Sequence, residues 1–198
     1  MNRLLLAAVV ALVPAAGFAQ DAARLQRLFE AGQYQQVVEA ASADAEPAVI
    51  FTAAQSHQKL GANDQALDAY RRLADRPESD PWHWVGASAQ SLLEGNNDAA
   101  LDAARRAVDA APDLAEAQFQ LGLVQARRQD WRDAAEAFDK AADINPSNAY
   151  AHYYGGLMHY RANRTDRMAI HFEQFLKLAP EAPERPEVLQ IMKTIRGR

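Results

Sequence analysis

The 198-residue chain is 49% apolar and 24% charged, with a net charge of −5, so it carries enough apolar content for a real core. The acidic balance offers no basic field for neutralising phosphates, which excludes the usual nucleic-acid partner. Cysteine is absent, and with it disulfides, thiol nucleophiles, Cys-ligated zinc and the residue that anchors a bacterial lipoprotein to lipid.

Met1 to Gln20 opens with Arg3, runs apolar from Leu4 to Val13, breaks at Pro14 and ends Gly17-Phe18-Ala19. A positive start, a short apolar stretch and small residues before the break predict a secretory signal peptide over 1–19, cleaved after Ala19. The apolar run is about half the roughly 20 residues needed to span a bilayer, so no membrane anchor is expected once it is removed. The expectation is a periplasmic protein whose mature net charge is −6.

Residues 20–46 read as a shortened helix pair. Asp21 to Ala31 forms its first helix, Gly32-Gln33-Tyr34 its turn, and Val37, Val38 and Ala41 continue the second. A fixed period then takes over. Pro112, Pro146 and Pro180 are spaced by 34 residues, as are Ala66, Ala100 and Ala134, and Leu73, Ala107, Ala141 and Phe175. Four blocks follow, 47–80, 81–114, 115–148 and 149–182. Each divides into two stretches rich in the good helix formers Ala, Leu, Gln, Arg and Glu, joined by a polar turn. Asp80-Pro81 predicts an N-cap followed by Pro at the first helical position, and Asp113 with Glu116 a capping-box-like pair. Asn97 and Thr165 are expected to cap second helices, and Gly61 and Gly95 to close first helices in a left-handed conformation.

The block AEAQFQLGLVQARRQDWRDAAEAFDKAADINPSN places Leu121, Gly122, Ala134, Phe138, Ala141 and Pro146 at repeat positions 7, 8, 20, 24, 27 and 32. In this it resembles the tetratricopeptide repeat. Other blocks depart from that pattern: Gly155 stands in place of Leu at position 7, Ala104 in place of the aromatic at 24, and Pro77 comes one place early. The resemblance implies an all-α fold, a right-handed solenoid of antiparallel helix pairs in eleven helices. Residues 183–198 supply a final capping helix, whose predicted span Glu187 to Arg196 carries the apolar stripe Val188, Leu189, Met192 and Ile195.

The resemblance further implies that positions 2, 5, 9, 12 and 13 of each first helix face an inner groove. Block by block the candidates are Phe51, Gln55 and Lys59; Trp82; Phe119, Leu123 and Arg127; and Tyr150, Tyr153, Tyr160 and Arg161. Such a lining suits a protein or peptide partner with apolar side chains. The alternative is that the same rings pack between repeats. The Lys and Asn that grip a chaperone's C-terminal carboxylate in some relatives are missing, since positions 5 and 9 are Phe51, Val85, Phe119, Tyr153 and Gln55, Ala89, Leu123, Leu157. Charge sums to −3 over 20–46, −4 over 47–114 and +1 over 115–198, which directs any acidic segment to the C-terminal half. Arg127, Arg128, Arg132, Arg161, Arg164 and Arg167 supply much of that difference, as a solvated edge or an anion site.

Catalytic chemistry is not legible. Ser88 lacks the flanking glycines and strand-turn-helix setting of a nucleophile elbow, and no phosphate loop or dinucleotide fingerprint predicts a cofactor. His152 and His159 share one helix face with His171 on the partner helix, but no carboxylate completes a recognised ligand spacing, so these histidines read as structural and no metal is assigned. The leading expectation is a non-enzymatic periplasmic scaffold or adaptor, with an envelope assembly or secretion complex as one setting for it. The alternatives are a holdase for exported chains, and an accessory subunit of an envelope enzyme or weak metal carrier.

Overall fold

A computed structural model describes residues 15–42 and 45–196; most of the predicted leader lies outside them. Eleven helices run in order, with no strand among the described residues. The first pair is α1 (Ala15–Glu30) and α2 (Tyr34–Ala40). The second is α3 (Pro47–Lys59) and α4 (Asn63–Ala74), the third α5 (Pro81–Leu93) and α6 (Asn97–Ala110). The fourth is α7 (Ala115–Arg127) and α8 (Trp131–Ile144), the fifth α9 (Ala149–Arg161) and α10 (Thr165–Leu178), and α11 (Arg185–Arg196) follows them. Each 34-residue block therefore holds one pair, and successive pairs stack into an α-solenoid. No helix of the described residues is long and apolar enough to cross a membrane.

The period acts through sterics. Turns between paired helices place Gly61 and Gly95 at φ of 75° and 86°, and the same repeat position is Gln129 at 66° and Asn163 at 59°. Left-handed backbone thus recurs every 34 residues, whether or not glycine supplies it. Small residues set how closely helices approach. A Cβ on Gly122 would sit 2.9 Å from the Phe138 ring, and one on Gly156 would run into that of Phe172. Both rings are fully buried, so the missing methyl is the space the aromatic occupies.

Capping follows the sequence reading at one end only. Asp80 accepts the Trp82 N–H at 3.0 Å as expected, with Pro81 opening α5. Asn97 and Thr165, expected as caps, are instead the first helical residues of α6 and α10; the cap positions are Asn96 and Arg164, neither with a side-chain bond to the helix's free N–H groups. Asp113 falls one residue short, because Leu114 is the N-cap of α7. A tight linker between paired helices leaves no room for the extended backbone that a side-chain cap requires. Helix α1 begins before the expected Asp21. Helix α11 buries Val188 and Met192 as the stripe predicts, but Leu189 is 45% exposed because it lies about 100° around the helix from Val188.

Candidate functional site

Helices α3, α5, α7 and α9 supply the inner face. Four of the nominated aromatics are withdrawn from solvent: Phe51 is 3% exposed, Phe119 5%, Tyr150 2% and Tyr153 7%. What covers them at one end is the N-terminal helix pair. The Phe29 ring of α1 lies 4.9 Å from that of Tyr150 on α9, and the Tyr34 and Tyr150 hydroxyls are 3.3 Å apart. Glu30 accepts the Ala149 backbone N–H at 3.0 Å, a hydrogen bond spanning 119 residues that also satisfies an orphan donor of the α9 first turn.

The other side of this seam is the loop before α11. Tyr150 donates to Glu184 at 2.8 Å, and Lys59 of α3 donates to the same carboxylate at 2.7 Å. The Lys59 ammonium also stands 5.2 Å over the Tyr150 ring. Burial disfavours the Lys59 charge, but the Tyr154 hydroxyl and the Glu184 bond outweigh it and hold its pKa above the ordinary lysine range. Burial, then its bonds to Tyr34 and Glu184, pushes the Tyr150 phenol far above its ordinary range, so it is a permanent donor. Curvature accumulated over four blocks brings residues 26–34 against 148–150 and 183–184.

Beyond the seam the inner face stays open. Gln55, Lys59, Phe119, Leu123, Arg127 and Tyr150, all nominated from the sequence, line one cavity of about 410 Å³ with Gln58, Leu92 and Leu93. Phe29, Tyr70, Gln120 and Tyr154 complete its wall and were not foreseen. Its floor is aromatic: Phe119 meets Tyr154 edge-on at 5.7 Å, and the buried Phe138 backs both, stacked on Tyr154 at 5.4 Å. Arg127 is exposed at the margin, without an ion-pair partner among the described residues.

The remaining nominated residues go elsewhere. Trp82 is half-buried and packs on Phe51 at 6.1 Å, Tyr153 donates to Glu187 at 2.9 Å, and Tyr160 is half-buried against the core. Arg161 lies over Trp131 in a separate depression shared with Asp130, Arg132 and Asp133. Three of the turn arginines are paired: Arg128 with Asp98 and Asp130, Arg164 with Glu136, and Arg167 with Asp139. Those pairs and the mixed charge of the depression favour a solvated edge over an anion site. Ser88, fully buried, donates to the Ala100 carbonyl and accepts from Gln120, a bridge between repeats. His152, His159 and His171 do come together, and with them Asp139 of α8, a carboxylate that local spacing could not reveal because it lies one repeat earlier than the histidines.

Comparison with known proteins bears on the fold. The tetratricopeptide repeat pattern matches residues 51–115, 87–149 and 119–183. The crystal structure of TTC0263, a thermophilic protein of that repeat class in Thermus thermophilus, is similar at a TM-score of 0.63 and 17% identity, over 88% of this chain and 98% of that one. A crystal structure of MamA is similar at a TM-score of 0.50 and 20% identity, over 73% of this chain and 84% of that one. No curated protein matches the sequence.

Proposed function

The chain belongs to the tetratricopeptide repeat family, and from that premise we propose that it is an exported, periplasmic interaction scaffold without catalytic chemistry of its own. Its partner is an extended protein segment that seats an apolar side chain in the cavity of the inner face and sets a carboxylate beside Arg127. One observation carries this reading: six residues nominated from repeat position alone line a single cavity, and the exposed cation at its margin is unpaired among the described residues. A volume of about 410 Å³ suits one or two side chains rather than a folded domain. The anchor would supply affinity and the charged pair its register.

In-cell crosslinking of the mature protein followed by mass spectrometry tests the reading. A stoichiometric partner is expected with the native chain and not with Leu123→Glu or Arg127→Glu, whose sites lie at the cavity rather than in the core. A partner set unchanged by both variants overturns the inner-face reading, and displacement by unrelated unfolded chains would replace it with a holdase. N-terminal sequencing of the exported form is expected to begin at Gln20.

A further inference from the structure

The histidines form a second constellation, separate from the residues that line the cavity. Asp139 stands on α8, His159 on α9 and His171 on α10, so three consecutive helices each contribute one group. Nε2 of His159 and Nε2 of His171 both lie 2.8 Å from the same Asp139 oxygen, Oδ1. All three donor atoms fall within 4.8 Å of one another. The room for this comes from a departure in the repeat pattern. Gly155 occupies position 7, where the family places Leu, and a Cβ there would sit 2.9 Å from Nδ1 of His171. The imidazole has taken the volume of the missing side chain.

We infer that Asp139, His159 and His171 bind a first-row divalent cation of the zinc type, with His152 as the outer partner that orients His171. Two imidazoles and a carboxylate are a donor set that such ions take, leaving a fourth position for water. Hydrogen placement along the chain of rings argues for it. His171 Nδ1 faces His152 Nδ1 at 3.3 Å, and His152 Nε2 faces the Pro146 carbonyl at 3.2 Å. A carbonyl only accepts, so His152 Nε2 carries hydrogen; in a neutral ring its Nδ1 is then a bare acceptor. If the Asp139 carboxylate holds a hydrogen on His171 Nε2, a neutral His171 also turns a bare Nδ1 to His152 and two lone pairs meet, a clash that a positive charge on the ring relieves, brought by a second proton or by a metal ion. A cation on His171 Nε2 moves that hydrogen to Nδ1, where it is donated to His152. Every ring on that path is then neutral and paired, in a carboxylate-free version of the relay that commonly orients metal-bound histidine.

Three features set the strength. His159 is fully buried and its Nδ1 has no partner among the described residues, so the hydrogen it would carry in the loaded state lacks an acceptor and the affinity is moderate. Arg167 approaches the second Asp139 oxygen at 3.6 Å, but its side chain is 65% exposed and free to swing away. Donor atoms 2.8 Å apart must also spread by several tenths of an ångström to surround an ion bound at about 2.0–2.2 Å.

The test is equilibrium dialysis of the full chain, without a histidine tag, against zinc alone, with the visible spectrum of the cobalt-substituted form as a second readout. About one equivalent is expected. Asp139→Asn with His171→Asn, folded by circular dichroism, is expected to lose it. His152→Ala, which spares all three ligands, is expected to weaken binding by about 10–100-fold. No saturable binding by the native chain overturns the site, as does binding unchanged in the double variant, which would put the ion on other histidines. If the double variant does not fold, cobalt bands that are absent from the native chain, or unmoved by His152→Ala, overturn it equally.

Discussion

The two halves of the inner face use the same repeat positions for opposite ends. At the seam, Tyr150 and Lys59 meet Phe29, Tyr34 and Glu184 of the same chain, and their polar atoms bond to one another. A few residues away, Leu92, Leu93, Leu123 and Arg127 line space that no described part of the chain fills. Position within a repeat therefore fixes which way a side chain faces, but the path of the whole solenoid decides whether it meets protein or water. An aromatic on the concave side is a binding residue only where the ends of the superhelix do not reach it.

Breaking the seam at its centre should give the largest effect. Tyr150→Ala removes a ring that contacts Phe29, Tyr153, Tyr154 and Phe175 together with two hydroxyl bonds. A loss of about 3–5 kcal/mol is expected on urea unfolding, the range for a buried aromatic reduced to alanine. Hydrogen exchange should show α1 and α2 losing protection before α5 to α8, because those helices depend on the seam rather than on two flanking repeats. Equal deprotection throughout would mean that closure is incidental to the N-terminal pair.

Gly32→Val tests closure without touching the ring cluster. Gly32 has φ of 74°, and a Cβ there would sit 2.6 Å from Cγ of Pro183, so valine meets both backbone strain and a ring across the seam. The expected cost is about 1–3 kcal/mol, realised as separation of the ends instead of global unfolding. Small-angle scattering should record a larger radius of gyration with helicity retained. Lys59→Met should cost less, about 1 kcal/mol, since the Lys59 and Glu184 side chains are 31% and 12% exposed and Glu184 keeps its bond from Tyr150. Lys59 also lines the cavity, so independence of the open and closed stretches is read from Gly32→Val, which partner crosslinking at Leu123 and Arg127 should survive.

Much of this was legible in the sequence because it repeats. The 34-residue period located the helix pairs, and the repeat positions of Gln55, Phe119, Leu123 and Arg127 found the cavity wall. The seam was not legible: Glu30 and Ala149, or Lys59 and Glu184, are joined only through curvature, a sum of small rotations that no local pattern records. Asp139 escaped for a related reason. Ligand spacings are recognisable on one helix or one turn, whereas His159 and His171 reach it from 20 and 32 residues further along. Phe29 and Tyr34 carried a weak signal, two aromatics flanking the turn of a repeat too short to need them.

The smallest effect expected is electrostatic and distinguishes closure from packing. Glu30 is 6% exposed; burial pushes its pKa above the ordinary glutamate range, against the opposing pull of its bonds to Gln26 and Ala149 and of nearby Arg27. A group whose pKa is higher in the closed state than in the opened one binds its proton more tightly when closed. Closure is therefore favoured in acid, and that contribution is lost as pH rises through the raised value. Glu30→Gln keeps an oxygen that can accept the Ala149 N–H but removes the charge that burial disfavours. Hydrogen exchange of residues 26–34, corrected for intrinsic rates, should show protection declining as pH rises above the ordinary glutamate range in the native chain and a flatter profile in the variant. A profile unchanged by the substitution would assign the seam to the Phe29, Tyr34 and Tyr150 rings alone, with the Glu30 carboxylate merely tolerated beside them.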